Sequence, residues 1–236
     1  MKLFALTALT ALGSSAALVH TGVMPCPCEL AARVIHGGGC DGPSCAAEAA
    51  PAGVTAEYLE ARDCTVFGGA CHINGESPTQ GRSALAAWRF AGGGKLAAAI
   101  ESDSNLGAGG VRRAVLFVDG ASADEVALAV AGAGLEVLAR HTVPVAWQRD
   151  GDAFHVAVED VLDLAGQALA DRLCCSMPSA VWYAPLVDAG GASVAGAVVG
   201  NPSRCRFVGQ DGLAGWRYED ANTAFLGTFT AALAAP

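Results

Sequence analysis

The chain has 236 residues, enough to bury one sizeable core, so disulfides are not obligatory for folding. An apolar share of 53% and a charged share of 16% exclude a disordered chain, although alanine supplies much of the apolar count. A net charge of −9 argues against nucleic acid or an anionic membrane surface as a partner.

Met1-Lys2 is a minimal positive start, and Leu3 to Val19 is an apolar run softened by Thr, Gly and Ser. Ser15-Ala16-Ala17 offers the small residues that a signal peptidase reads, so residues 1–19 are expected to be a signal peptide. The run is short of the ~20 residues a spanning helix needs, and no later stretch is long enough, so no membrane span is expected in the mature chain. Proline at position 25 does not suit lipid attachment at Cys26. The expected location is periplasmic or secreted. Residues 20–53 form a flexible segment rich in Cys, Gly and Pro, with Gly37-Gly38-Gly39 and Ala46 to Ala52 as loop and linker.

From residue 54 to 236 the pattern predicts a single α+β, mostly β domain of antiparallel strands and hairpins with one or two helices. Ala56 to Ala61, continuing through Thr65-Val66-Phe67 to Gly68-Gly69, predicts a first strand. Ala84 to Phe90, Leu96 to Ile100 and Ala114 to Val118 predict three more. Ala123 to Ala131 predicts a helix, with Ser122 as cap, Asp124 and Glu125 in the first turn and Gly132 at its end. Val143 to Gln148 and Phe154 to Val158 flank a hairpin turn at Arg149 to Ala153. Glu159 to Leu173 fits either strand-turn-strand or helix. Val181 to Val187, Val194 to Val199 and Thr223 to Leu233 predict the closing strands.

Nine cysteines carry the functional signal. Cys26, Cys28, Cys40 and Cys45 lie in the front segment with His36. Cys64 and Cys71-His72 bracket the first strand's end, and Cys174-Cys175-Ser176-Met177-Pro178 is the most specific local pattern. Thiolate, imidazole and thioether are the ligands that copper(I) and zinc select. Adjacent cysteines strain a mutual disulfide, so Cys174 and Cys175 have separate partners or share a soft metal. Outside the cytosol the alternative is cross-linking, for example Cys64 to Cys71, or the doublet to those two. Nine is odd, so a monomer leaves at least one thiol outside any disulfide. Cys205 lies between Arg204 and Arg206, whose charges would lower its pKa if it were exposed.

The familiar catalytic motifs are absent: no G-x-S-x-G, no H-E-x-x-H, no P-loop and no G-x-G-x-x-G behind a strand. Gly92-Gly93-Gly94-Lys95 resembles a phosphate loop only superficially. His141 and His155 read as satisfied structural histidines, and Glu159-Asp160 as a solvated turn.

Glu57 to Cys64, Gly69 to Glu76, Gly81-Arg82, Ala87-Trp88, Ser102 to Leu106, Cys174 to Pro178 and Val181-Trp182-Tyr183 occur in the order found in a bacterial family. On these residues, from about Ala56 to Phe225, the chain resembles domain of unknown function 1326. The family has no agreed activity. Its other branch carries a denser C-x-C and C-P-C arrangement at the first strand. Arg62, Cys64 and Gly69-Ala70-Cys71 stand at those positions here, so part of that cysteine set is missing.

The leading expectation is an exported copper-binding or, second, zinc-binding protein that buffers or delivers its ion. Cys71, His72, Cys174, Cys175 and Met177 would form the core site, with Cys64 an alternative ligand. Cys26, Cys28, His36, Cys40 and Cys45 would form an auxiliary one. A membrane metal transporter or a redox partner would receive the ion. The alternatives are a disulfide-stapled, non-catalytic binding domain without metal and a thiol-dependent redox protein using Cys174 or Cys175.

Overall fold

A computed structural model describes residues 53–66, 81–169, 183–219 and 222–232. Strands β1 (Gly53–Arg62), β2 (Ser83–Phe90), β3 (Lys95–Ser102) and β4 (Arg112–Asp119) form an antiparallel meander. β2 and β3 are apolar almost throughout, because both of their faces are covered. Gly92 and Gly93 lie in the tight turn joining them, and Lys95 ion-pairs with Asp119 at 2.8 Å, so this glycine run is a hairpin.

Helix α1 (Ala123–Gly132) starts at Ser122, whose side chain accepts from the Glu125 backbone while Glu125 accepts from the Ser122 backbone. The helix ends at Gly132 as expected, and Gly134 (φ +60°) turns the chain just beyond it. Gly132 also permits close packing: a Cβ there would lie 2.7 Å from the Ala192 methyl. After the helix, β5 (Leu135–Thr142) joins β4 in parallel. The sequence pattern did not indicate this strand, because only alternate residues are even half-buried.

β6 (Ala146–Asp150) and β7 (Ala153–Val158) make the expected hairpin, with Gly151 at φ +54° in its two-residue turn. β8 (Leu162–Ala168) settles the ambiguous segment as a strand. β9 (Ser193–Phe207) runs 15 residues, well beyond the expected span, and β10 (Trp216–Arg217) pairs with its end. β11 (Ala224–Ala232) lies between β1 and β9. The sheet order is β5-β4-β3-β2-β1-β11-β9-β8-β7-β6. The protein is therefore α+β and mostly β, with one helix among the described residues.

Two expected boundaries differ. The first strand ends at Arg62, not at Gly68-Gly69, and residues 183–187 form no strand. Pro185 lacks the N–H a ladder requires, and Leu186 and Val187 are buried by packing on the sheet face instead.

Each sheet face has its own core. On one, Tyr58, Trp88, Ile100, Leu116 and Phe229 pack under α1 and residues 186–187. On the other, Leu59, Leu85 and Phe117 meet Phe154, Val156, Leu164 and Phe207 from the far half of the strand order. The sheet thus curls over itself, and Trp147 Nε1 of β6 donates to Glu57 Oε2 of β1 at 3.2 Å across the curl. Among the described residues no helix is long and apolar enough to cross a membrane.

Candidate functional site

Tyr58, Glu60 and Arg62 alternate along β1 and so share the face that α1 covers. Where the apolar core of that face ends, Glu60 and Arg62 are fully buried, 0% and 1% exposed. Burying charge this deeply demands complete pairing. Arg62 Nε donates to Glu60 Oε1 at 2.5 Å, and Tyr58 Oη donates to Glu60 Oε2 at 2.5 Å. The Leu186 backbone N–H donates to the same Oε2 at 2.7 Å, and Arg62 Nη2 donates to the Ala184 carbonyl at 2.5 Å. Arg62 is also sandwiched between the Tyr183 and Phe225 rings, 5.4 and 5.7 Å from their centroids.

A second buried guanidinium completes the network. Arg112 Nη1 donates to the Ala133 and Leu186 carbonyls at 3.0 and 2.9 Å, and Nη2 to Leu106 at 3.2 Å. Asn105 Nδ2 donates to the Tyr183 hydroxyl at 3.3 Å. Together these bonds tie residues 183–186 and the 105–107 turn to the end of the sheet. Burial opposes the charge on Arg62, but Glu60 outweighs it and raises the guanidinium pKa. Burial, then the Glu60 charge, pushes the Tyr58 phenol well above its ordinary value. Both groups are held in one protonation state, which suits a brace and not a proton shuttle.

Cys64 follows two residues after Arg62 and is buried, 2% exposed. A Cβ built on Gly81 would lie 2.6 Å from its sulfur, so Gly81 is pressed against the thiol. Burial pushes the Cys64 pKa up, against the pull of the Arg62 charge and a hydrogen bond from the Gly81 backbone. Next to it, Val66 and Phe225 form a small cluster with Leu169 and Tyr183. Val66, Gly81, Leu169 and Tyr183 are the four flanks of residues 67–80 and 170–182, which carry Cys71, His72, Cys174, Cys175 and Met177. The described flanks of both segments thus lie at this end of the sheet, Gly81 against Cys64 and the other three in the cluster with Phe225.

Of the expected ligands only Cys64 is described. Cys71, His72, Cys174, Cys175, Met177, Cys26, Cys28, His36, Cys40 and Cys45 lie outside the described residues. Among the described residues no group of three or more His, Cys, Asp or Glu is placed to hold a metal ion. Among the described residues Cys64 and Cys205 are free thiols, and Cys71, the other half of the alternative cross-link, lies outside them. Cys205 does not meet the condition for activation by Arg204 and Arg206. It is fully buried in the second core, and burial, then Asp63, Glu219 and Asp163, raises its pKa strongly.

The histidines behave as structural groups: His141 Nε2 lies 2.7 Å from Asp211 Oδ2, and His155 Nε2 lies 3.0 Å from Asp163 Oδ1. The residues that sequence reasoning missed are Glu60 and Arg112. Glu60 had a readable signal, since a carboxylate and a guanidinium alternate with apolar residues in a strand that is apolar on both sides. Arg112 had none. Of the described residues on which the family resemblance rests, Tyr58, Glu60, Arg62, Cys64, Gly81, Asn105, Leu106 and Tyr183 lie here. No family model matches this chain, and no curated protein is significantly similar to it.

Proposed function

We propose that this chain is an exported soft-metal-binding protein, selecting copper ahead of zinc, that buffers or delivers its ion in the periplasm or outside the cell. Cys71, His72, Cys174, Cys175 and Met177 form the core ligand set, with Cys64 as an alternative ligand. Cys26, Cys28, His36, Cys40 and Cys45 form the auxiliary set. A membrane metal transporter or redox partner accepts the ion by ligand exchange. The resemblance to the uncharacterised bacterial family is part of this reading.

The observation that carries it is the free, buried Cys64 thiol at the end of the sheet where the described flanks of the two cysteine segments lie. Parity is compatible with it: nine is odd, so a monomer keeps at least one cysteine outside any disulfide.

The test is copper(I) binding to the exported chain under reducing conditions, read as metal per protein. The expected result is near-stoichiometric copper in the parent, lost on replacing Cys174 and Cys175 with Ser and reduced by Cys64→Ser. Metal-free protein that refuses added copper(I) overturns the proposal and leaves the stapled binding domain. Fast alkylation of a single thiol would favour the redox reading instead.

A further inference from the structure

A cleft of about 130 Å³ opens where the 105–107 turn meets residues 183–188, and Arg62, Gly107, Arg112, Tyr183, Pro185 and Asp188 are in its lining. Its floor holds more positive than negative charge. Arg62 and Arg112 are 1% and 8% exposed, and the carboxylate buried with them is Glu60. The Arg112 hydrogen bonds go to three carbonyls, which are dipoles and not countercharges. Its acidic neighbour, Asp188, stands 3.6 Å away with a side chain 62% exposed to water. Arg62 is incomplete as well. Its Nε and Nη2 are bonded, whereas Nη1 is buried without a hydrogen-bond partner among the described residues. Unpaired N–H groups on a buried cation are costly, and a bound anion is one way to complete them.

We propose that this cleft binds a small carboxylate, seated on Arg112 and completed by Arg62. One negative charge matches the excess of one buried guanidinium over the buried carboxylate. The planar guanidinium fork fits two carboxylate oxygens side by side. The cleft has room for only a few heavy atoms, so it takes an acetate-sized acid or the carboxylate end of a longer molecule. Water does not reach Arg62 Nη1, so the anion meets Arg112 first. Arg62, in the same lining, supplies the second guanidinium. Asp188 is the group it displaces. This site requires no metal and is independent of the copper reading.

The experiment titrates the purified full chain with sodium acetate, against sodium chloride at equal ionic strength and sodium phosphate in parallel, following the melting temperature. Acetate is expected to raise it saturably while chloride does not. Asp188→Asn, which removes an exposed competitor, should tighten acetate binding about threefold, the worth of one surface ion pair. Arg62→Lys keeps the charge but loses the fork, and should abolish saturation. If Arg62→Lys does not fold, the Asp188→Asn result decides. Acetate indistinguishable from chloride, an unmoved Asp188→Asn affinity, or saturation by phosphate alone would each overturn the proposal.

Discussion

The two faces of this sheet are buried by different means. Beneath α1 the apolar core gives way at one end to a charge network, in which Glu60 is satisfied by Tyr58, Arg62 and the Leu186 backbone. On the opposite face the sheet folds onto itself, and Phe117, Phe154, Leu164 and Phe207 close an almost wholly apolar interior. Each face has a buried thiol near it, yet their surroundings differ. Cys205 is enclosed within the second core, while Cys64 sits past the end of β1 where chain segments leave the sheet. Area secures one region and directional bonds the other. A shaped site therefore belongs where the bonds are.

The largest effect should come from Glu60→Ala, which strands Arg62 in the interior and should cost about 3–5 kcal/mol in denaturant unfolding. Replacing the pair together, Glu60→Leu with Arg62→Met, should recover most of that loss. If the double variant is as unstable as the single one, packing and not charge pairing holds this end. On the other face, Leu164→Ala should cost about 2–5 kcal/mol with no such rescue available.

The thiols separate the regions further. Cys205→Ser places a hydroxyl in an apolar core and should cost about 1–3 kcal/mol while leaving copper stoichiometry unchanged. Cys64→Ser should cost less, since the Gly81 N–H offers the hydroxyl a partner, yet it should reduce bound copper. Equal metal loss in both variants would erase the distinction between the two sites.

Alkali tests the second face in a different way. Burial raises the Cys205 pKa, so the neutral thiol is retained in the fold while the unfolded chain ionises near the ordinary value. Stability from this group is complete below the unfolded pKa and declines as pH rises beyond it. The slope should approach about 1.4 kcal/mol per pH unit from roughly pH 8.5. Cys205→Ala should flatten that decline in pH-dependent unfolding curves. The smallest effect belongs to Ser122→Ala, which removes the cap of α1 and should lower stability by about 1 kcal/mol in the same assay.

Strands with dense apolar patterns could be read directly from the sequence. Ala84 to Phe90 and Ala114 to Val118 are covered on both faces, so every position carries the signal. Leu135–Thr142 escaped notice because an edge strand beside a helix buries too little to impose a pattern. Tyr183 and Leu186 suggested a strand because they are apolar, but the Glu60–Arg62 pair holds them, an arrangement visible only in three dimensions. β9 runs on from the expected Val194 to Val199 through Gly200 and Pro202, residue types that weaken a strand pattern. Its pairing with β11 is irregular between Ala195 and Val198, where Gly196 adopts φ +61°, and its pairing with β8 is irregular between Pro202 and Arg204. Of the candidate site, Cys64 was anticipated by its neighbours in sequence and Glu60 carried a signal in its alternation along β1, whereas Arg112 emerged only from its placement.

β11 hydrogen-bonds to β1 on one side and β9 on the other, with Gly53 opposite Ala232. The two groups of strands on either side of it, β1 to β5 and β6 to β9, assemble from sequence neighbours at modest entropic cost. The bond between them closes a loop spanning almost the whole folded length, and such contacts form late. During synthesis a chain of this topology carries two half-sheets with open edges until its final strand emerges. Under the proposed export through a membrane pore, slow completion would extend the interval in which the chain can still pass unfolded.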